Sequence, residues 1–301
     1  MLKIMSEISI SNKDLFNEDR LKNLMRENGL SAVIGFSPEN ITYLSGYHNL
    51  DLLILPEDTH SMIVIWPLEG EPILLMADNG NPFESFIEDV RRFPRYPERD
   101  RALSALIVIL HEKEFSGEKI GIEKRYLPAE RWEILQSELP DIHWVDGTDV
   151  VEKTRHIKTP MEIELLREAA RVQDRAIYEA YKSASPGDSE KSVADAVASN
   201  VMKYGADIVI FNFLASGERT VGGHTLGTDA LLEPGNIVRS DYGALFSGYY
   251  TDFGRMASVG KPNERQRDSY AKTYEVQQRT IAATRPGITA EELFNTATEA
   301  Y

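Results

Sequence analysis

Cysteine is absent from all 301 residues. Disulfides, thiolate nucleophiles and Cys-ligated metal centres are therefore excluded, and any metal site has only His, Asp and Glu to build from. Positive charge is scarce: 33 Lys and Arg stand against 48 Asp and Glu, for a formal net charge of -15. An acidic surface of that size repels phosphate backbones, which excludes nucleic acid as the expected partner. Long apolar runs are missing too. Stretches such as Ala105 to Leu110 are strand-sized, far short of the roughly 20 residues a membrane span needs. Residues Met1 to Glu7 meet an acid early and lack a long apolar core, so no secretory leader and a cytoplasmic location are expected. What is present is ordinary for a globular chain: 42% apolar and 27% charged residues, in a length that suits two domains at ~150 residues each.

The first half alternates between helical and strand patterns. Leu15 to Asn28 has helical spacing, and Gly29 stands where a C′ glycine ends a helix. Ala32 to Phe36 reads as a buried strand, and Ser37-Pro38-Glu39-Asn40 as a capped helix start. Apolar runs at Leu52 to Leu55, Ser61 to Trp66 and Pro72 to Met76 follow, the last two forming a hairpin around Glu69-Gly70-Glu71. A helix over Arg101 to His111, a strand at Lys119 to Ile122, a helix over Pro128 to Ser137 and a strand at His143 to Val145 complete an α/β layer with a mixed sheet. No Gly-rich phosphate loop occurs in it, so this half is assigned no chemistry.

The organisation changes near Thr154. Thr159-Pro160-Met161-Glu162 is a capping box, and it opens a long helix with Ile163, Leu166, Ala170, Ile177 and Tyr181 along one side. The expected domains are 1–153 and 154–301. The second domain repeats itself: Ser185-Pro186-Gly187 through Val193 resembles Arg285-Pro286-Gly287 through Leu293, one hundred positions later. Each segment follows a long helix and starts another. The shared pattern is short, and the matching order of elements is what favours a duplicated unit over two similar joints.

In the first copy, Ala206 to Leu214 reads as a strand and is followed by a loop carrying His224. Glu233-Pro234-Gly235-Asn236 is a turn, after which Ile237 to Ala244 and Tyr249 to Thr251 read as the arms of a hairpin. A hairpin centred between Phe246 and Ser247 sets Asp241 opposite Asp252. Two like charges facing each other on a half-buried sheet destabilise it, and a divalent cation relieves that cost. On spacing alone, two incidental acids on a solvent-facing hairpin satisfy the same pattern, and a single loop histidine carries no signal of its own.

The full pattern narrows this. Asp241-x-Gly243-Ala244, Gly248-Tyr249, Asp252 and Arg255 closely resemble the metallopeptidases of the pita-bread fold, which include methionine aminopeptidase, prolidase, aminopeptidase P and creatinase (family M24). Arg155-x-x-Lys158-Thr159-Pro160-x-Glu162 resembles that family's domain-entry segment. Asn40-Ile41-Thr42-Tyr43-Leu44-Ser45-Gly46-Tyr47 resembles the N-terminal domain of its prolidase and creatinase branch. The resemblance spans nearly the whole chain. It implies an α/β creatinase/prolidase-like N-terminal domain and an α+β pita-bread catalytic domain, duplicated and here incomplete.

The resemblance also implies two divalent metal ions, manganese first and cobalt, zinc or iron as alternatives. Asp241 would bind one ion, Asp252 would bridge both, and His224 would contact substrate beside them. No separate organic cofactor site is implied. Asn236, where an Asp often follows the Gly, and Phe253-Gly254 before Arg255 depart from the pattern at positions that are not ligands. The implied reaction is hydrolysis of an Xaa-Pro peptide bond, in a dipeptide or at an N-terminus, by a homodimer. Rival readings are a metal-dependent amidase of a small non-peptide metabolite and a non-catalytic binding module on the same fold. The family's remaining ligands, a His and two Glu, find no match after Asp252. Tyr301 aligns with Val201, whose copy runs on to Val259, so about 58 residues of the second copy have no counterpart. Those ligands are therefore expected beyond Tyr301, and the 301-residue chain is expected to be inactive, with an unpaired sheet edge and an uncovered helix face.

Overall fold

The computed structural model describes residues 11–48, 62–78, 80, 85–94 and 101–300. They fall into two units, Met1–Ala170 with Phe246–Tyr249, and Arg171–Leu245 with Tyr250–Tyr301.

Short polar residues and glycines punctuate the first unit as their chemistry dictates. Helix α1 (Glu18–Asn28) starts where the Asn17 side chain accepts the Arg20 amide, and stops at Gly29, whose φ of 63° makes the left-handed exit. Strand β1 (Ala32–Gly35) follows, then α2 (Pro38–Ser45) under the expected Ser37 cap. Strands β2 (Met62–Pro67) and β3 (Ile73–Ala77) pair antiparallel, Ile63 opposite Leu75, so the hairpin around Glu69-Gly70-Glu71 forms. The run Leu52–Leu55 lies outside the described residues. Next come β4 (Asp89–Phe93), α3 (Arg101–Glu112), β5 (Lys119–Ile122), α4 (Ala129–Glu138), β6 (His143–Asp146) and α5 (Thr148–His156).

The sheet order is β4-β3-β2-β1-β5-β6. Strand β1 runs antiparallel to β2 and parallel to β5, which makes the sheet mixed, as expected. Successive strand residues face opposite sides. Ile34, Ile65 and Leu75 enter one apolar layer with Leu106 of α3 and Leu135 of α4, while Val33, Val64 and Leu74 enter another with Met25, Leu44 and Val151. Burial on both faces is why these strands read as unbroken apolar runs. Two backbones pack closely where α5 begins: a Cβ on Gly147 would lie 2.6 Å from the carbonyl carbon of Gly121. The apolar pattern predicts neither the strand at Asp89–Phe93 nor the helix at Thr148–His156. The former is an edge strand with two exposed arginines and one buried side chain, so it carries almost no apolar signal.

Helix α6 (Pro160–Ser183) opens on the expected capping box, Thr159 N donating to Glu162 Oε2 at 2.6 Å and Glu162 N to Thr159 Oγ1 at 3.1 Å. Its buried stripe matches the expected one at Ile177, with Tyr181 packed beside it, and differs nearer the N-terminus. Glu162, Leu165, Ala169, Gln173, Ala176 and Ala180 face inward, whereas Ile163 is 44% exposed. Two of the inward positions are polar. Glu162 accepts the Tyr249 hydroxyl at 2.8 Å, and Gln173 lies 3.0 Å from the Thr251 hydroxyl. Apolar periodicity cannot count polar residues that are buried through hydrogen bonds.

In the second unit, α7 (Glu190–Lys203), β7 (Ile208–Ser216), β8 (Ile237–Phe246), β9 (Tyr249–Tyr250) and β10 (Phe253–Ser258) precede α8 (Glu264–Ala283) and α9 (Ala290–Ala300). The sheet order is β10-β8-β7, with β9 pairing β8. One face packs on α6 and α7 through Ile177, Ala180, Val193, Val197, Leu214, Val238 and Tyr242. The internal repeat is visible in the backbone. Asp188 N bonds Ser185 O and Ile288 N bonds Arg285 O, with Gly187 at φ 95° and Gly287 at φ 90°. The same turn thus joins α6 to α7 and α8 to α9. Neither α8 nor α9 has a fully buried residue, and Tyr270, Tyr274, Ile281 and Phe294 are exposed. Among the described residues β10 pairs only with β8, so one of its edges is unpaired, and α8 and α9 carry exposed apolar side chains.

Candidate metal centre

The hairpin that carries Asp241 turns at Ser247-Gly248, where φ is 52° and 84°. Two successive positive φ angles are those of a two-residue I′ turn, whose backbone twist matches that of the strands it joins. The centre therefore lies one residue later than expected. Thr251 N donates to Ala244 O at 2.8 Å, and Asp241 stands opposite Gly254, not Asp252. The correction is a shift of two in the pairing, so every side chain stays on its face. Asp252, two residues before Gly254 and just outside β10, occupies the diagonal position on the side of the sheet where Asp241 lies. The sequence signal for this register is the Ser-Gly pair itself, with glycine second as in the common Asn-Gly hairpin turn.

That side of the sheet is the one turned away from the helices. Alternation along β8 puts Ser240 and Tyr242 inward and leaves Arg239 and Asp241 half-buried. On the neighbouring strand, Phe213 pairs with Asp241 and Phe211 with Gly243. The Phe211 ring occupies the space over Gly243, so close that a Cβ there would lie 2.2 Å from Cε1. Phe211 and Phe213 stack at 5.7 Å, and the His224 ring stacks on Phe213 at 5.0 Å and 15°. His224 is thus brought over the sheet, with Nε2 3.8 Å from Asp241 Oδ2.

The electrostatics follow from this placement. Partial burial and then the charge and hydrogen bond of Asp252 push the Asp241 carboxyl above its usual range, with His224 and Arg239 pulling the other way. The two acids therefore form a strained like-charge pair, with a histidine alongside. An anionic oxygen pair suits a hard or borderline divalent cation. Among the described residues, however, no group of three or more His, Asp or Glu is arranged to hold a metal ion. The donor set fits one side of a metal centre and does not complete one.

Two charged residues outside the expected set hold the loop that presents His224. Glu190, at the start of α7, is fully buried. Its Oε1 accepts Ser216 N at 2.7 Å and Ser216 Oγ at 2.9 Å, and its Oε2 accepts Thr228 N, Thr228 Oγ1 and Arg219 Nε at 3.2, 3.0 and 3.1 Å. Burial alone would raise this carboxyl; the hydrogen bonds from Ser216 and Thr228 outweigh it and hold the group below the ordinary carboxylate range. Arg239 donates from Nη1 to the carbonyls of Thr220 and Gly222 at 3.1 and 2.9 Å, and from Nη2 to that of Gly223 at 2.7 Å. In sequence, Glu190 looks like an ordinary acid in a helix's first turn. The signal for Arg239 was a basic residue two positions before Asp241, on the same strand face.

Comparison with known proteins agrees with this architecture. Residues 164–301 match Metallopeptidase family M24, and residues 19–157 match the Creatinase/Prolidase N-terminal domain. An Xaa-Pro dipeptidase from Pyrococcus furiosus is 30% identical over 285 residues, covering 93% of this chain and 75% of the relative. The solved prolidase from Pyrococcus furiosus superposes with a TM-score of 0.74 at 28% identity, covering 93% of this chain and 77% of that one. An X-Pro aminopeptidase from Thermotoga maritima MSB8 shares the fold with a TM-score of 0.76 at 22% identity, over 92% of this chain and 76% of its own.

Proposed function

Because the chain belongs to metallopeptidase family M24 and carries that family's creatinase/prolidase-type N-terminal domain, we propose that it is built to hydrolyse an Xaa-Pro bond, in a dipeptide or at a peptide N-terminus. Two divalent metal ions, manganese first, serve the reaction. When bound, such a pair lowers the pKa of water and polarises the scissile carbonyl. Asp241 and Asp252 are the ligands this chain contributes, and His224 is the group that meets substrate. The domains divide as 1–153 and 154–301, the location is cytoplasmic and the assembly a homodimer. One observation carries the reading: two carboxylates on the solvent-facing side of a sheet, close enough that one raises the other's pKa, with a histidine 3.8 Å from the first. A fold gains nothing by keeping that repulsion, whereas a metal site does.

The chain's own residues suggest their division of labour. Asp241, fixed on β8 between Phe213 and Gly254, is the rigid member of the pair. His224, on a loop and mostly exposed, is free to donate to a carbonyl oxygen of bound peptide. Since no three-ligand group exists among the described residues, the 301-residue chain holds metal weakly and turns nothing over.

Titration with Mn2+, followed by calorimetry and by electron paramagnetic resonance, tests the site. One weak site that disappears in Asp241→Asn and in Asp252→Asn is expected. Two tightly held ions with turnover of an Xaa-Pro dipeptide would overturn the inactivity, and binding indifferent to both substitutions would overturn the site. With Zn2+ in place of manganese, an Xaa-Pro dipeptide is expected to shift the His224 ring resonances more than the matching Xaa-Ala dipeptide. Equal shifts refute the proline preference.

A further inference from the structure

The geometry points to Arg239 as the residue that positions His224. The importance of His224 rests on the function proposed above; the positioning itself does not. The loop between Gly217 and Gly227 contains Gly217, Gly222, Gly223 and Gly227, and its histidine is mostly exposed. Left to itself, such a segment samples many conformations, because glycine restricts the backbone least. Its two feet are tied by the buried Glu190 carboxylate, which takes donors from Ser216 and Thr228. Between the feet, the stretch just before His224 turns three carbonyl oxygens, those of Thr220, Gly222 and Gly223, toward one guanidinium.

Three carbonyl dipoles pointing at one place repel each other unless a cation sits among them. Arg239 supplies that cation as a planar fork that cannot lose its proton. The fork also fixes direction. Gly223 is bonded at 2.7 Å and His224 is the next residue, so Arg239 fixes the backbone on one side of the histidine, as the 3.0 Å Leu214 N–Thr225 O bond does on the other. Stacking on Phe213, which pairs with Asp241, completes the placement. Arg239 lies two residues before Asp241 on β8, and one strand face thereby carries both a proposed metal ligand and the strut of the histidine beside it. Removing the guanidinium leaves the sheet, its packed face and the Leu214 N–Thr225 O bond behind the histidine intact, and loosens the stretch in front of it.

The test uses the whole chain without metal. The His224 Cδ2–H and Cε1–H resonances, assigned among the six histidines by their loss in His224→Asn, report the ring current of Phe213. In Arg239→Met these resonances are expected to move toward free-histidine values, while far-UV circular dichroism is unchanged. Trypsin cleavage after Arg219 is expected to speed up about tenfold, because local opening governs it. Arg239→Lys recovers part of the shift, since an ammonium keeps the charge and loses the fork. Unmoved His224 resonances in Arg239→Met overturn the proposal. So does global unfolding of both variants, which would make Arg239 a residue the sheet needs in order to fold. Neither readout involves metal or turnover, so a failure of the peptidase reading appears separately, in the manganese and dipeptide measurements.

Discussion

Replacing Glu190 with glutamine exchanges one oxygen for one amide nitrogen at a position where every contact is a donor. The carboxylate accepts five hydrogen bonds, two at Oε1 from Ser216 and three at Oε2 from Thr228 and Arg219. A glutamine oxygen can keep the Ser216 pair. The amide nitrogen at the other corner faces three donors. The Thr228 hydroxyl can rotate and accept from it, and Arg219, 40% exposed, can turn to water. The Thr228 N–H has no such escape. One stranded backbone donor together with the lost charge assistance costs about 2–3 kcal/mol. Glu190→Ala also strands the buried Ser216 donors and should cost about 4–5 kcal/mol. Urea unfolding at pH 7 followed by circular dichroism measures both, and hydrogen exchange at the Ser216 and Thr228 amides reads the site directly. The pH dependence supplies a second check. The folded pKa of Glu190 is depressed, so its contribution is complete above the unfolded value of about 4.3 and is lost as pH falls through the folded value. The gap between wild type and Glu190→Gln therefore narrows on acidification. A Glu190→Gln chain within about 0.3 kcal/mol of wild type at pH 7, or a gap that widens in acid, would refute the reasoning.

Asp241→Asn should act in the opposite sense on the metal-free chain. The folded pKa of Asp241 is raised, so its ionised form costs stability as pH rises through that value; removing the charge is expected to stabilise the chain by about 0.5 kcal/mol at pH 7 while abolishing metal binding, and a lowered urea midpoint would count against the like-charge account. Gly147→Ala sets a Cβ 2.6 Å from the Gly121 backbone. Backbone cannot swing aside, so a loss of about 3 kcal/mol is expected, and a thermal midpoint unchanged within 2 °C would show that α5 relaxes freely. Gly243→Ala meets the Phe211 ring at 2.2 Å. The ring can tilt, so a smaller cost of about 1–2 kcal/mol is expected, accompanied by altered His224 resonances, because Phe211, Phe213 and His224 are stacked in series.

What the sequence revealed of fold and site depended on how local each cause is. Helix ends are set within four residues, so Gly29, Ser37 and the Thr159–Glu162 box could all be read directly. The inward face of α6 could not, because Glu162 and Gln173 are buried by hydroxyls that lie at least 78 positions away in the chain. The loop anchors are long-range as well: Glu190 reaches Thr228 across 38 positions, and nothing near it in sequence distinguishes it from a solvated helix-capping acid. The Asp241–Asp252 pair is the instructive intermediate case. The spacing predicts a pairing two places off, yet it sets both acids on one face, as the pairing of Asp241 with Gly254 also does. Strand side chains alternate with a period of two, so an even error keeps each acid on its side of the sheet, whereas an odd error would have sent one of them to the other side. The hairpin's parity, carried by alternating polar and apolar residues, is therefore a sturdier inference than its register, which depends on the φ angles of Ser247 and Gly248. A proposed metal centre needs the parity first: two carboxylates on one face can meet diagonally, but two on opposite faces cannot share an ion at all.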